Sequence, residues 1–328
     1  MMIKKLAVGA VIMLACVMAA CNTQSVTKED KVSVVCTVFA AYDWTRALLT
    51  DQAEAVDVEY LFDDGADVHS FQPGADDYVK IAESDIFIYI GGPGTEWIED
   101  ALNNSPKKER IVIDLSQAAG VELIENTADT QWHSDDEDEP HSHEDHEHAG
   151  GFDEHIWMSV TNAESCVYEI ADALCEKMPR IKKQINANCD AYVLKLEELD
   201  EKYRDEIESY YTKYIVVADR FPFRYLTQEY GISYDAAFAG CQTEAEADFD
   251  MIIRMANAVD ESDVPAIVVT EVSDQKLAET ILENTEDDYK IILVLDSMQA
   301  VTAGNVRDGV TYLGVMEQNL ETLQKAFP

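Results

Sequence analysis

The chain has 328 residues, 65 of them acidic against 24 basic, for a formal net charge of −41. That balance excludes a nucleic-acid partner, since a phosphate backbone calls for a basic surface, and it favours cations and solubility. The seven cysteines include no Cys-x-x-Cys pair, which leaves neither a disulfide framework nor a thiolate metal site and makes buried free thiols the expectation.

In chain order, Lys4 and Lys5 precede an apolar run from Leu6 to Ala20. It is too short to span a bilayer and has the form of a signal peptide. The run ends Met18-Ala19-Ala20-Cys21 and gives way to a polar stretch up to Asp30. Small residues before a cysteine and a polar tether after it predict lipoprotein processing, with a lipid on Cys21 rather than on Cys16 inside the run. Residues 1–20 are thus expected to be the leader and 21–30 a tether. The rest would be an extracytoplasmic protein anchored to the cell membrane.

From Lys31 short apolar runs alternate with helical patterns. Strands are predicted over Val32–Val38, Val56–Leu61, Asp85–Ile90 and Ile111–Leu115, with helices over Tyr42–Thr50, Ala75–Glu83 and Glu96–Leu102. Strict alternation implies βαβ units and a parallel sheet, here a first lobe over residues 31–160.

Six of the seven histidines then fall between His133 and His155. His133, His141, His143, His146 and His148 share residues 133–148 with acid, serine and one proline. No packed core holds so many ionisable groups, so this is a solvated loop. Neutral imidazoles with carboxylate neighbours suit zinc, copper and nickel. Without fixed geometry, such a loop collects or senses metal and does not catalyse. His155 follows it and precedes a helix predicted to be capped near Thr161 or Asn162.

Residues 161–211 read as helices. Ile181, Ile185, Cys189, Tyr192, Leu196, Leu199, Tyr203, Ile207 and Tyr210 recur at spacings of three and four, one face of a helix of about thirty residues with Pro179 in its first turn. A second alternating set fills 212–328. Its strands are predicted near Tyr214–Ala218, Ile232–Tyr234, Ala266–Thr270 and Ile291–Leu295. Its helices are predicted near Phe223–Tyr230, Glu244–Val259, Asp274–Glu283 and Asp308–Ala326. The fold expected is α/β: two lobes with parallel sheets joined by one long backbone helix. Ligands of such sheets bind beyond the carboxyl ends of the strands, which places the site in the interlobe cleft.

Residues placed there are His69, after the second strand, and three carboxylates that each end a strand: Asp219, Glu271 and Asp296. Asp219 also has the alternative of capping the helix after Pro222.

In order, Gly-Ala-Asp-x-His-Ser-Phe-x-Pro (65–73), Tyr-Ile-Gly-Gly…Glu-Trp-Ile (89–98), the His-rich loop and Asp-x-His-x-Trp (153–157) resemble the zinc/manganese solute-binding lipoproteins of ABC importers, the ZnuA/TroA-like family. The resemblance runs from about Lys31 to the C-terminus. It implies one metal ion between the lobes, held by His69 and His155 from the first and by Asp296 from the second. At the third position, where the family has His or Glu, this chain has Arg220, which offers no lone pair. Asp219 one residue earlier is the substitute, and Glu271 is expected to support the ligands or to be structural.

Zn²⁺ is the expected cargo, with Mn²⁺ or Fe²⁺ as alternatives that two imidazoles and two carboxylates also accommodate. The partners implied are an ABC permease and, through the lipid, a membrane. A monomer is expected, and not an enzyme. A zinc hydrolase is the rival reading, but there is no His-Glu-x-x-His, no Gly-x-Ser-x-Gly, and no phosphate loop at Gly91–Gly94. An adhesin or metal buffer without a transport partner is a further alternative.

Overall fold

Among the described residues every strand is parallel to its neighbours, so the connections between them must cross over a sheet face. The computed structural model describes residues 31–50, 55–65, 71–92, 94–103, 107, 109–125, 151–238, 240, 247–286 and 290–328. The leader, the tether with Cys21, His69, Cys241 and the loop histidines His133, His141, His143, His146 and His148 lie outside them.

The first sheet consists of β1 (Val32–Cys36), β2 (Val56–Tyr60), β3 (Ile86–Tyr89) and β4 (Ile111–Asp114) in the order β2-β1-β3-β4. Helices α1 (Phe39–Leu48), α2 (Ala75–Glu83) and α3 (Glu96–Asn103) connect them. The second repeats the arrangement with β5 (Tyr214–Val217), β6 (Ser233–Ala236), β7 (Ala266–Thr270) and β8 (Ile291–Leu295) in the order β6-β5-β7-β8. The central strands are β-branched runs with no exposed face: Val34 and Val35 in β1, Ile86 and Ile88 in β3, Val216 and Val217 in β5 and Ile267 to Val269 in β7 are all buried, as expected of strands covered on both sides.

Between the sheets lie α4 (Val160–Lys177) and α5 (Lys182–Glu208). Ile185, Cys189, Tyr192, Leu196, Leu199, Tyr203 and Ile207 of α5 are all buried. One apolar cluster runs from the first sheet through α4 and α5 to Ile215, Val217 and Leu295 of the second. At 27 residues the long helix spans about 40 Å. Pro179 lies in the turn between α4 and α5, not in a first turn.

The second lobe is completed by α6 (Arg224–Tyr230), α7 (Phe249–Glu261), α8 (Lys276–Leu282), α9 (Ala303–Arg307) and α10 (Tyr312–Ala326). Two helices begin later than their periodicity predicts. The Asp248 side chain accepts from Met251 N and starts α7 after residue 248. The chain turns at Gly309 with φ +93°, and Thr311 then caps α10 through Gly314 N. Likewise α4 is capped by Ser159, whose hydroxyl accepts from Asn162 N, rather than by Thr161 or Asn162. Cys36, Cys166, Cys175 and Cys189 are buried free thiols, and burial pushes the Cys36 thiol up to about 12.

Candidate metal centre

His155 closes the chain's return from the acidic loop. It is 2% exposed and sits on a 3-10 turn, Ile156–Met158, that leads into α4. Its ring is oriented by Asp153: Nδ1 is 2.7 Å from Asp153 Oδ1, which also accepts the His155 backbone N–H at 3.0 Å. Burial opposes ionisation of Asp153, but the neighbouring His155, through its ring and backbone N–H, and Arg224 together hold the carboxyl below the usual carboxylate range. A carboxylate on Nδ1 keeps the proton there, so the lone pair stands on Nε2, itself buried. That arrangement is typical of a metal-ligating histidine.

Glu154 is buried beside it. Among the described residues, Asp153, Glu154 and His155 bring one ligand atom each within 4.8 Å of one another. Gly92, at φ +142°, explains the Gly-Gly pair: a Cβ there would come within 3.1 Å of Glu154 Cβ.

The second lobe supplies Asp296, just past β8. Asn319 of α10 grips its backbone on both sides, its Oδ1 accepting from Asp296 N at 2.8 Å and its Nδ2 donating to Asp296 O at 2.7 Å. The carboxylate accepts from Met298 N at 2.7 Å, and Met298 holds the strained φ of +61° that makes this turn. Burial first, then the charge of Glu271, raises the Asp296 carboxyl to about 6. Glu271, at the end of β7, accepts from Ser297 N (2.9 Å), Gln299 N (3.1 Å) and the Ser297 hydroxyl. It both supports the Asp296 turn and adds negative potential.

Asp219 is engaged differently. Its Oδ2 accepts from the Thr270 amide (3.1 Å) and hydroxyl (2.7 Å), and its Oδ1 from Arg220 N at 2.7 Å. It ties β5 to β7 and does not cap α6, whose N-cap, Phe223, makes no side-chain bond.

Loops from the two lobes meet here. The Trp157 indole, two residues after His155 and edge-on to its ring at 5.2 Å, donates to Ser297 O, one residue after Asp296, at 2.8 Å. The loop that leads to His69 is fastened to the same lobe: Asp64 bridges Thr302, and Ala303 N donates to Asp63 O at 2.6 Å. Gly65, at φ +80°, permits this approach, since a Cβ would stand 3.0 Å from Thr302 Cγ2 and 3.3 Å from Ala300 O. The structure thus brings the His155 and Asp296 segments together and fastens residues 63–65 to the second lobe, while His69 itself lies outside the described residues. Sequence reasoning missed Asp153 as the ring-orienting acid, although the Asp-x-His spacing carried the signal.

The profile of the ZnuA family, zinc-uptake complex component A, periplasmic, matches residues 34–326. The chain belongs to this family. Zinc-binding lipoprotein AdcA of Streptococcus pneumoniae is similar, 27% identical over 308 residues that make up 94% of this chain and 58% of that protein. So is the high-affinity zinc uptake system protein ZnuA of Bacillus subtilis, 26% identical over 323 residues, 96% of each. The chain therefore spans a little over half the length of AdcA and nearly all of the Bacillus ZnuA. Among solved structures, Zn(II)-bound AdcA from S. pneumoniae superposes with a TM-score of 0.70 at 25% identity, over 90% of this chain and 57% of the other. The ZnuA family is one of uptake components, not of enzymes.

Proposed function

We propose that this member of the ZnuA family captures a divalent metal outside the cytoplasm, zinc in preference to manganese, and delivers it to an ABC permease. The observation that carries the reading is the Trp157–Ser297 bond, which holds the loop of an oriented, buried imidazole against the loop of a half-buried carboxylate that faces the like charge of Glu271. His69, His155 and Asp296 are the ligands, while Asp219, whose carboxylate already accepts from Thr270 and Arg220 N, ties β5 to β7 in place of serving as the fourth. Two imidazoles with a carboxylate accept Mn²⁺ as well as Zn²⁺, but inherent affinity ranks zinc higher. The zinc-binding relatives support the same choice. A lipid on Cys21 tethers the monomer to the membrane, and the protein turns over no substrate.

Calorimetric titration of the metal-free chain tests this. One equivalent of Zn²⁺ should bind tightly, Mn²⁺ more weakly, and His155→Ala should bind neither well. Mn²⁺ binding no more weakly than Zn²⁺ would overturn the choice of metal. Unchanged zinc binding by His155→Ala would overturn the site.

A further inference from the structure

We propose that α6 of the second lobe, through Tyr225 and Glu229, positions His155 for metal, so that His155 and Asp296 belong to one preassembled half of the site. The inference rests on the metal reading of His155 given above. By chain order His155 belongs to the first lobe, since it leads into α4, which packs beside β4 and α1. Its segment is nonetheless fastened by groups of the second.

At the start of the segment, the Tyr225 hydroxyl donates to Asp153 O at 2.6 Å and accepts from Ile124 N at 3.1 Å. Tyr225 is buried, so its one hydrogen and an acceptor lone pair are committed to the two chain ends that flank the acidic loop. Through the Asp153 carbonyl it fixes the residue whose carboxylate sets the His155 ring. In the middle, Trp157 is held from both sides, its indole by Ser297 O and its carbonyl by the Tyr312 hydroxyl at 2.7 Å.

At the far end, Glu229 receives the first amides of α4. Its Oε2 accepts from Val160 N at 3.0 Å, and its Oε1 accepts from Thr161 N at 3.2 Å and from the Thr161 hydroxyl. Asn162 N donates to the Ser159 hydroxyl, and the amide of Ser159 itself donates to Ile156 O. The four amides that any helix leaves without an internal partner are therefore all assigned, two of them to a carboxylate of the other lobe. A negative charge there also meets the positive end of an 18-residue helix.

Tyr225 and Glu229 thus bracket Asp153–Thr161 from one short helix, one turn apart on it. His155 is thereby tied to the lobe that carries Asp296. Both are positioning residues: they act on the metal through His155.

The test uses the full chain with Tyr225→Phe, Glu229→Ala and Glu229→Gln. Zinc affinity is measured by chelator competition, and site geometry by the visible absorption of the Co²⁺ form. Tyr225→Phe and Glu229→Ala should each weaken zinc about 10-fold, the loss usual for groups that orient a ligand, and should alter the Co²⁺ spectrum. Glu229→Gln keeps one of the two acceptor oxygens and should recover part of both. Should Glu229→Ala fold poorly, Tyr225→Phe, which removes one atom, decides alone. Variants that melt earlier but keep the parent zinc affinity and Co²⁺ spectrum would overturn the proposal, leaving α6 a purely structural brace. Zinc binding unchanged in His155→Ala would instead overturn the metal reading, whatever the α6 variants do.

Discussion

Asp219 and Asp296 hold matching stations, each just past the carboxyl end of a strand in the same sheet, and their charges are met in opposite ways. Asp219 receives three hydrogen bonds from Thr270 and Arg220, so its negative charge is already balanced by protein donors. Asp296 accepts one from Met298 N among the described residues, faces the charge of Glu271, and has its carboxyl raised to about 6. Strand-end carboxylates are common in parallel sheets, and position alone does not make one a ligand. A half-buried charge that faces a like charge with little compensation is unfavourable until a cation arrives, and that separates Asp296 from Asp219.

The largest expected effect comes from Asp296→Asn. The amide oxygen can still accept from Met298 N, but the charge is gone. Zinc affinity should fall by about 100-fold or more, since a ligand is lost outright and not merely misoriented. The metal-free protein should melt about 2 °C higher, because the repulsion with Glu271 disappears. Calorimetry and thermal melts read both, and a variant that loses zinc without gaining stability would break the link between poorly compensated charge and metal. Asp219→Asn is the counterpart. It weakens charged hydrogen bonds each worth about 1.5–3 kcal/mol, so it should lower the melting temperature and cost zinc affinity no more than about 10-fold. A zinc loss equal to that of Asp296→Asn would put the two carboxylates on the same footing.

The pH dependence sharpens the same contrast. A carboxyl at about 6 is protonated below that pH, and zinc must then displace the proton. Affinity should therefore fall by about tenfold for each pH unit below 6 from this group alone, with further loss as His69 and His155 take up protons. For folding the sign is the reverse of an ion-paired aspartate. The native carboxyl lies above its unfolded value, so metal-free stability from this group is greatest at low pH and declines as pH rises from about 4 to about 6. Saturating zinc should abolish that decline. Melts at pH 4.5 and 7, with and without zinc, give the comparison, and Asp296→Asn should flatten it.

Much of this was legible in the sequence where local chemistry governs. The bounds of α2, β7 and β8 follow from apolar runs between turn residues, and the buried face of α5 from its spacing of three and four. The starts of α7 and α10 were not, because Asp248 and Thr311 act as caps at points the hydrophobic period alone does not mark. At the site, the residue types and their order carried the resemblance, but the division of labour among the carboxylates did not. Asp219 and Asp296 differ by partners at Thr270 and Glu271, which become neighbours only when parallel strands align. Tyr225 and Glu229 are further removed, lying 72 and 69 residues along the chain from the groups they hold.

The smallest expected effect concerns the other collection of ligands in the chain, the His-rich loop. Its five imidazoles sit among acidic residues, a composition that calls for solvation. Bringing several side chains of so solvated a composition together on one ion costs conformational entropy. Removing Ser134–His148 should therefore leave the tight zinc affinity within about threefold, a change too small to reflect loss of an orienting group. What should vanish is a weak second class of sites, seen in calorimetry as zinc bound beyond one equivalent. A deletion that weakened the tight site as much as Asp296→Asn would place a loop histidine among the ligands, and the metal would then be held by imidazole the loop delivers as well as by His155 and Asp296.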